Sequence, residues 1–258
     1  MARSFNGTSD FISVADASSL DLSNAFTLAF FFKPPSEAGW RGLVNKRAGG
    51  NNATNYGINY NQDAGTDLLQ FLYKTGAGAF RILSTAFAAN WPAGTWHHFL
   101  GTATQNGTST DLRIYKNGSL LAGPSTLADN VAPNNVALEI GRSSVGAGEF
   151  TGSTIAEVAL WNRAISAAEA AAIYYRGPLA VPSGLVFWQR LGMGSPEPDW
   201  SGNVNNGTLT GTTVADHPPV GPAFGFDFGW RGAFTAAGAG PAPVADPLLW
   251  LGSNFFRA

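Results

Sequence analysis

A chain of 258 residues can form one large β domain with an appendage, or two small domains. Apolar residues make up 45% of it and aromatic residues 12%, which excludes wholesale disorder, and a formal net charge of −2 without a basic run leaves nucleic acid no electrostatic footprint. The absence of cysteine excludes disulfides and thiolate metal sites, so packing must hold the fold.

In chain order, the pattern is one of short strands separated by turn signals. Ser4-Phe5 and Phe11–Val14 flank Asn6-Gly7-Thr8-Ser9, which predicts a hairpin. Phe26, Leu28, Phe30 and Phe32 alternate along one strand face, and Pro34-Pro35 ends that strand because proline cannot donate to a ladder. Weaker strands are expected at 42–46 and 56–60, although the Gly-, Asn- and Ala-rich stretch 48–65 reads as a surface excursion at one rim. Further strands are predicted at 68–73, 80–84 and 136–141. The strands 96–104 and 112–116 read as a pair, and Asn117-Gly118 starts the next turn.

The stretch 154–177 joins a strand to the one convincing helix. Alternation places Ala156, Val158 and Leu160 on one face, with Ile155, Ala159 and Trp161 on the other. Ser166 followed by Glu169 forms a capping box, and Gly177-Pro178 stops the helix. Ile165, Ala168, Ala172 and Tyr175 form its expected apolar stripe. After Pro178 the composition changes. Residues 184–188 read as one more strand, 199–208 as turns, and Ala236–Pro243 as a linker. Turn signals recur about every ten residues over the first 180, the spacing of an all-β antiparallel sandwich.

Six blocks in order carry a family resemblance: FNGTSDFISV (5–14), FTLAFFFKPP (26–35), GTWHHFLGTAT (94–104), LRIYKNGSLL (112–121), LEIGRS (138–143) and IAEVALWNRAISAAEAAAIY (155–174). Together they resemble the laminin-G-like, concanavalin-A-like jelly-roll superfamily. GLVFWQRLG and PDWSGNVNNGTLTG, within 184–211, look like the segment that usually precedes the opening hairpin in such domains. It is read here as a permuted strand completing the same sandwich. The expected organisation is a jelly roll over 1–180, a completing strand and turns over 181–215, and a Pro/Gly/aromatic-rich arm over 216–258.

The fold admits glycoside hydrolysis, which needs two carboxylates flanking the scissile bond. The acidic triplet that related glucanases carry on one strand is missing, and the prolines around Glu197-Pro198-Asp199 argue against a regular strand there. Glu157 is better placed but reads as structural. His97 and His98 are adjacent on a strand, so they face opposite ways and cannot jointly hold a metal. The resemblance allows calcium, with Asp10, Asp129 and Glu157 as weak candidates beside Asp63, Asp67 and Asn130. Yet Ala156 and Asn6 stand where the family pattern has acids. No other cofactor is expected.

Sugar binding would use rim aromatics near amide-rich loops. Trp40, Tyr56, Tyr60 and Trp91 fit that description, and core packing is the competing reading for each. In the tail, Phe224, Phe226, Phe228 and Trp230 alternate with small or polar residues, and Leu249, Trp250, Phe255 and Phe256 follow. This pattern suits an interface strand. No apolar leader core follows Met1 and no run is long enough to span a bilayer, so the chain reads as made in a cytoplasm without membrane contact. The layout resembles tailed-phage virion proteins. The resulting expectation is a non-enzymatic virion protein, a capsid decoration or fibre component, with homo-oligomeric and virion partners and possible contact to a cell-surface glycan. The alternatives are a lectin-like module of a cellular protein and, third, a glycoside hydrolase.

Overall fold

The computed structural model describes residues 1–48, 54–74, 79–144 and 148–219. In chain order the strands are β1 Ala2–Ser4, β2 Phe11–Val14, β3 Ala25–Lys33, β4 Trp40–Arg47, β5 Thr54–Asn61, β6 Leu68–Lys74 and β7 Phe80–Ala86. A one-turn helix α1, Phe87–Asn90, leads to β8 His97–Asn106, β9 Ser109–Lys116, β10 Ser119–Ala128, β11 Leu138–Ile140 and β12 Thr154–Trp161. Helix α2, Ala167–Arg176, precedes β13 Leu185–Gln189, β14 Gly207–Thr210 and β15 Thr213–Ala215.

These strands form two antiparallel sheets. The first runs β10-β9-β8-β3-β12-β1-β15, with β13 also on β12, and the second runs β14-β2-β11-β4-β5-β6-β7. The segment 185–215 therefore contributes to both sheets: β13 pairs with β12, β15 with β1, and β14 with β2. Between the sheets lies one core. Phe26, Leu28, Phe30 and Phe32 of β3 enter it as the alternation predicts, and Tyr56, Ile58, Tyr60, Leu69, Phe71 and Tyr73 enter from β5 and β6.

Several sequence expectations are corrected. The turn at 6–9 does not close a hairpin, because β1 belongs to the first sheet and β2 to the second. Asn6 instead accepts the backbone N–H groups of Thr8, Ser9 and Asp10, an Asx-type turn that carries the chain across the sandwich. The supposed excursion 48–65 contains β5, which is buried along its whole length between β4 and β6. The turn at Asn117-Gly118 forms as expected and leads into a further strand, β10, at the edge of the first sheet.

A further correction concerns β12. Its pairing with β3 slips between Ala156 and Ala159, where Glu157 takes φ 54°. The resulting β-bulge re-aims the strand. Ile155, Val158 and Leu160 face the main core, and Ala159 and Trp161 face outward. The bulge also divides the free edge of β12, whose first half pairs with β1 and second half with β13.

Helix α2 has its predicted start: Ser166 Oγ accepts from Glu169 N–H while the Glu169 carboxylate accepts from Ser166 N–H. Its buried side is Ala170 and Ile173 with Ile165, whereas Ala168 and Tyr175 are exposed, so the stripe lies one face round from the expected one. With Trp161, Val181 and Trp188 it covers the outer face of the first sheet. The second sheet has no helix on its outer face among the described residues. That asymmetry leaves strand surface of the second sheet without a helical cover among the described residues.

Candidate functional site: a groove on the second sheet

Inward-facing Tyr56, Ile58 and Tyr60 on β5 force Gly57 and Asn59 to the outer face. Register then sets their neighbours. Asn59 lies opposite Gln70, Gly57 opposite Leu72, and Leu72 opposite Ile82. Trp40 stands at one end of β4, Arg47 at the other, and Phe80 begins β7. Apart from Gly57, these residues and Glu149 line a groove of about 200 Å³. That is below the roughly 300–1,000 Å³ of pockets that enclose drug-sized ligands, so it suits a single ring of a larger ligand.

One wall comes from the segment after β11. Glu149 O accepts from Gly42 N–H at 2.9 Å, and Gly42 bridges to Phe150. A Cβ at position 42 would overlap the Ser143 backbone, so only glycine lets the segment lie this close. Glu149 itself is exposed and holds φ 65°.

The floor is polar and incompletely paired. Asn59 is 5% exposed, and its Oδ1 has no hydrogen-bond partner among the described residues. A buried acceptor left this way costs about 1–3 kcal/mol unless a ligand or water satisfies it. Trp40, half-buried, offers an apolar wall. At the far end the Arg47 guanidinium lies over the Phe80 ring at 5.3 Å and the Lys74 ammonium over the same ring at 5.8 Å. Burial lowers the pKa of Arg47, and the opposing Glu149 charge raises it.

Of the four aromatic residues singled out from sequence, only Trp40 lies in this groove. Tyr56, Tyr60 and Trp91 are fully buried core residues. Tyr60 stacks on Phe87 and donates its hydroxyl to Glu37, and burial pushes its pKa far up. Trp91 packs against Phe32, His97 and Phe99 and donates Nε1–H to Thr85 at 3.0 Å. Sequence reading missed Arg47, Asn59, Gln70, Phe80 and Glu149. The signal was available: on β5 and β6, polar residues alternate with large aromatics, and that polar face had to point somewhere.

The acidic candidates have structural partners. Glu157 accepts from Trp188 Nε1–H at 2.7 Å and faces His217 Nε2 at 3.0 Å and Arg190 Nε at 3.5 Å. It lines a larger cavity of about 430 Å³ with Leu179, Trp188 and Arg190, but its oxygens are already engaged. Asp129 pairs with Arg81 at 2.5 Å. Asp10 is buried, and its Oδ1 accepts from Ser9 Oγ at 3.4 Å. Asp63 accepts from Gly39 N–H and Asp67 from Ala88 N–H. Among the described residues, no three His, Asp or Glu side chains converge in a way that could hold a metal.

Glu197 and Asp199 are both held in structural contacts. Glu197 is fully buried on Arg3 at 2.6 Å and on the N–H of Gly192, while Asp199 accepts from the N–H groups of Trp188, Ser201 and Asn205. His97 and His98 do face opposite ways, toward Trp91 and Tyr174 respectively. The interface candidates Phe224, Phe226, Phe228, Trp230, Leu249, Trp250, Phe255 and Phe256, and the linker 236–243, lie outside the described residues. No described helix is long and apolar enough to cross a membrane.

Among solved structures, the chain is similar to a Bacteroides ovatus protein whose carbohydrate binding is inferred, with TM-score 0.61 and 21% identity over 82% of this chain and 58% of that one. It is also similar to the binding domain of botulinum neurotoxin serotype G, with TM-score 0.50 and 11% identity over 64% of this chain and 40% of that one. At these identities the likeness shows the fold, and the chain spans well under two thirds of either protein. No curated protein sequence matches. Residues 6–171 match the family model of the concanavalin A-like lectin/glucanases. The two antiparallel sheets and the family match agree: this chain belongs to the concanavalin A-like lectin/glucanase superfamily.

Proposed function

We propose that the protein is a non-enzymatic, lectin-like binding module, and that the groove between Trp40 and Phe80 takes a sugar ring. The observation that carries this reading is the unpaired Asn59 Oδ1 on the groove floor beside Gln70, with aromatic rings at both ends. An amide floor suits hydroxyl groups, and apolar walls suit the C–H faces of a pyranose. The engagement of Glu197 and Asp199 in structural hydrogen bonds supports binding over hydrolysis. Binding by the Bacteroides ovatus and neurotoxin neighbours accords with this reading without extending to their ligands.

A glycan array probed with the full chain and with Trp40→Ala tests the proposal. The reading expects a defined set of positive glycans whose signal falls about tenfold or more in the variant, the loss of about 1.4 kcal/mol or more of contact. Silence across the array, or signals indifferent to Trp40, would contradict it.

The biological setting we infer is a tailed-phage virion, with the sandwich meeting a cell-surface glycan and the C-terminal residues joining subunits. Its support is the alternation of Phe224, Phe226, Phe228 and Trp230 and the apolar Leu249, Trp250, Phe255 and Phe256. Removing residues 221–258 is expected to convert an oligomer to a folded monomer by light scattering with circular dichroism. An unchanged mass would defeat the assembly role.

A further inference from the structure

Lys46 lies on β4 with its side chain wholly buried. Around its Nζ stand Asp16 Oδ1 at 2.6 Å, Asn134 O at 2.7 Å, Val136 O at 2.9 Å, Asp21 Oδ1 at 2.9 Å and Asn134 Oδ1 at 3.1 Å. These oxygens come from two loops far apart in sequence, one between β2 and β3 and one between β10 and β11. Asn134 also bonds back, its Nδ2 donating to Lys46 O at 3.1 Å. Asn55 ties the same two loops from β5. Its Nδ2 donates to Leu22 O and Ala132 O, and its Oδ1 accepts from Leu22 N–H.

An ammonium has three hydrogens to give, fewer than the oxygens gathered here. Asp21 Oδ1 is held by charge alone, since it accepts no hydrogen bond among the described residues. Two carboxylates with carbonyl and amide oxygens form the donor set of a hard cation such as calcium, which takes roughly six to eight oxygens at about 2.3–2.6 Å. We infer that this shell is a cation site, that its resident cation is the Lys46 ammonium, and that the two loops are thereby independent of calcium. Because the ammonium is covalently part of β4, an ion from solution must displace a charge that cannot diffuse away. One lysine neutralises only one of the two carboxylates. With the ammonium removed, the same oxygens would take a divalent ion, and water would complete its shell. Asp16 and Asp21 stay partly open to solvent, which gives such an ion an approach. None of the calcium candidates read from sequence, Asp10, Asp129 or Glu157, belongs to this shell.

Thermal unfolding of the full chain in calcium and in EDTA tests the inference. The wild-type chain is expected to unfold within about 1 °C in the two, because an ion that does not bind cannot stabilise. Lys46→Ala removes the ammonium and leaves room for an ion. In EDTA it should unfold roughly 10 °C below the wild type, since the carboxylates lose their counter-charge. Calcium should recover about half of that loss or more. Magnesium should recover less, because it demands a tighter octahedral shell. Calorimetry should find calcium binding in Lys46→Ala that is absent from the wild type and from the double variant with Asp16→Asn. Lys46→Met, which fills the space with an uncharged stem, should be destabilised and ignore calcium.

Calcium that stabilises the wild type as much as Lys46→Ala, or that fails to stabilise Lys46→Ala, overturns the inference. Should Lys46→Ala fold in neither condition, NMR of the wild-type chain with isotope-labelled lysine decides. The Lys46 ammonium, identified by its through-space contacts to residues 134–136, is expected to give a slowly exchanging signal that calcium leaves unmoved. A signal that calcium shifts or abolishes, or an ammonium that exchanges as fast as an exposed one, overturns the inference.

Discussion

His98 is wholly buried against Phe31, at 4.6 Å between ring centres, and Tyr174, and burial lowers its pKa to about 3. In the unfolded chain its pKa is about 6.5. Below that value the unfolded state binds a proton the folded state refuses, so stability falls as pH drops from about 6.5 toward 3, by up to about 1.4 kcal/mol per unit. Unfolding free energy from urea titrations should therefore be about 2 kcal/mol lower at pH 5 than at pH 8 on account of this one group. Burial shifts His97 in the same direction. The variant His98→Leu should lose about one proton's worth of slope, and an unchanged pH dependence would refute the assignment. That the two histidines part to opposite faces was legible, because strand alternation is local. That Tyr56, Tyr60 and Trp91 are core was left open between two readings, because their Asn- and Gly-rich neighbours look like loop. On β5 those asparagines are the outward half of an alternation: Asn59 floors the groove, and Asn61 Oδ1 accepts from Asp63 N–H.

Local signals served some elements and failed others. The capping box of α2 forms as its sequence spacing implies, and Arg163 also reaches Glu169 at 2.6 Å, which holds the Glu169 pKa down at about 2. Removing the cap with Ser166→Ala should cost about 1 kcal/mol in chemical denaturation. A loss of under about 0.3 kcal/mol would mean that packing of Ile165, Ala170 and Ile173 alone fixes the helix start. The bulge at Glu157 left no such mark in sequence. Its cause is tertiary: β1 and β13 share one edge of β12, and Glu157 sits where one replaces the other, with its N–H donating to Arg190 O. The hairpin signal at 6–9 misled for a related reason. An Asn-Gly turn reverses the chain whether its strands rejoin one sheet or part into two.

The molecule is a sandwich whose two outer faces differ. Helix α2 and the segment through β13 cover the first sheet, while the second presents strand surface roofed in part by residues 148–150. The family blocks made the sandwich legible, since each marks a strand of the shared core. The groove was not legible, because it is assembled from β4 through β7 and from a wall about a hundred residues further on, held by the close approach at Gly42. On the proposed reading, the groove is a site because of its unsatisfied amide. The most direct test of that claim is a titration of the full chain with an array-positive sugar, followed by NMR of the assigned side-chain amides. The account predicts that the carboxamide resonances of Asn59 and Gln70 shift with saturation while those of Asn55 and Asn205, bonded elsewhere in the fold, stay fixed. Saturable binding that leaves Asn59 and Gln70 unmoved would contradict it.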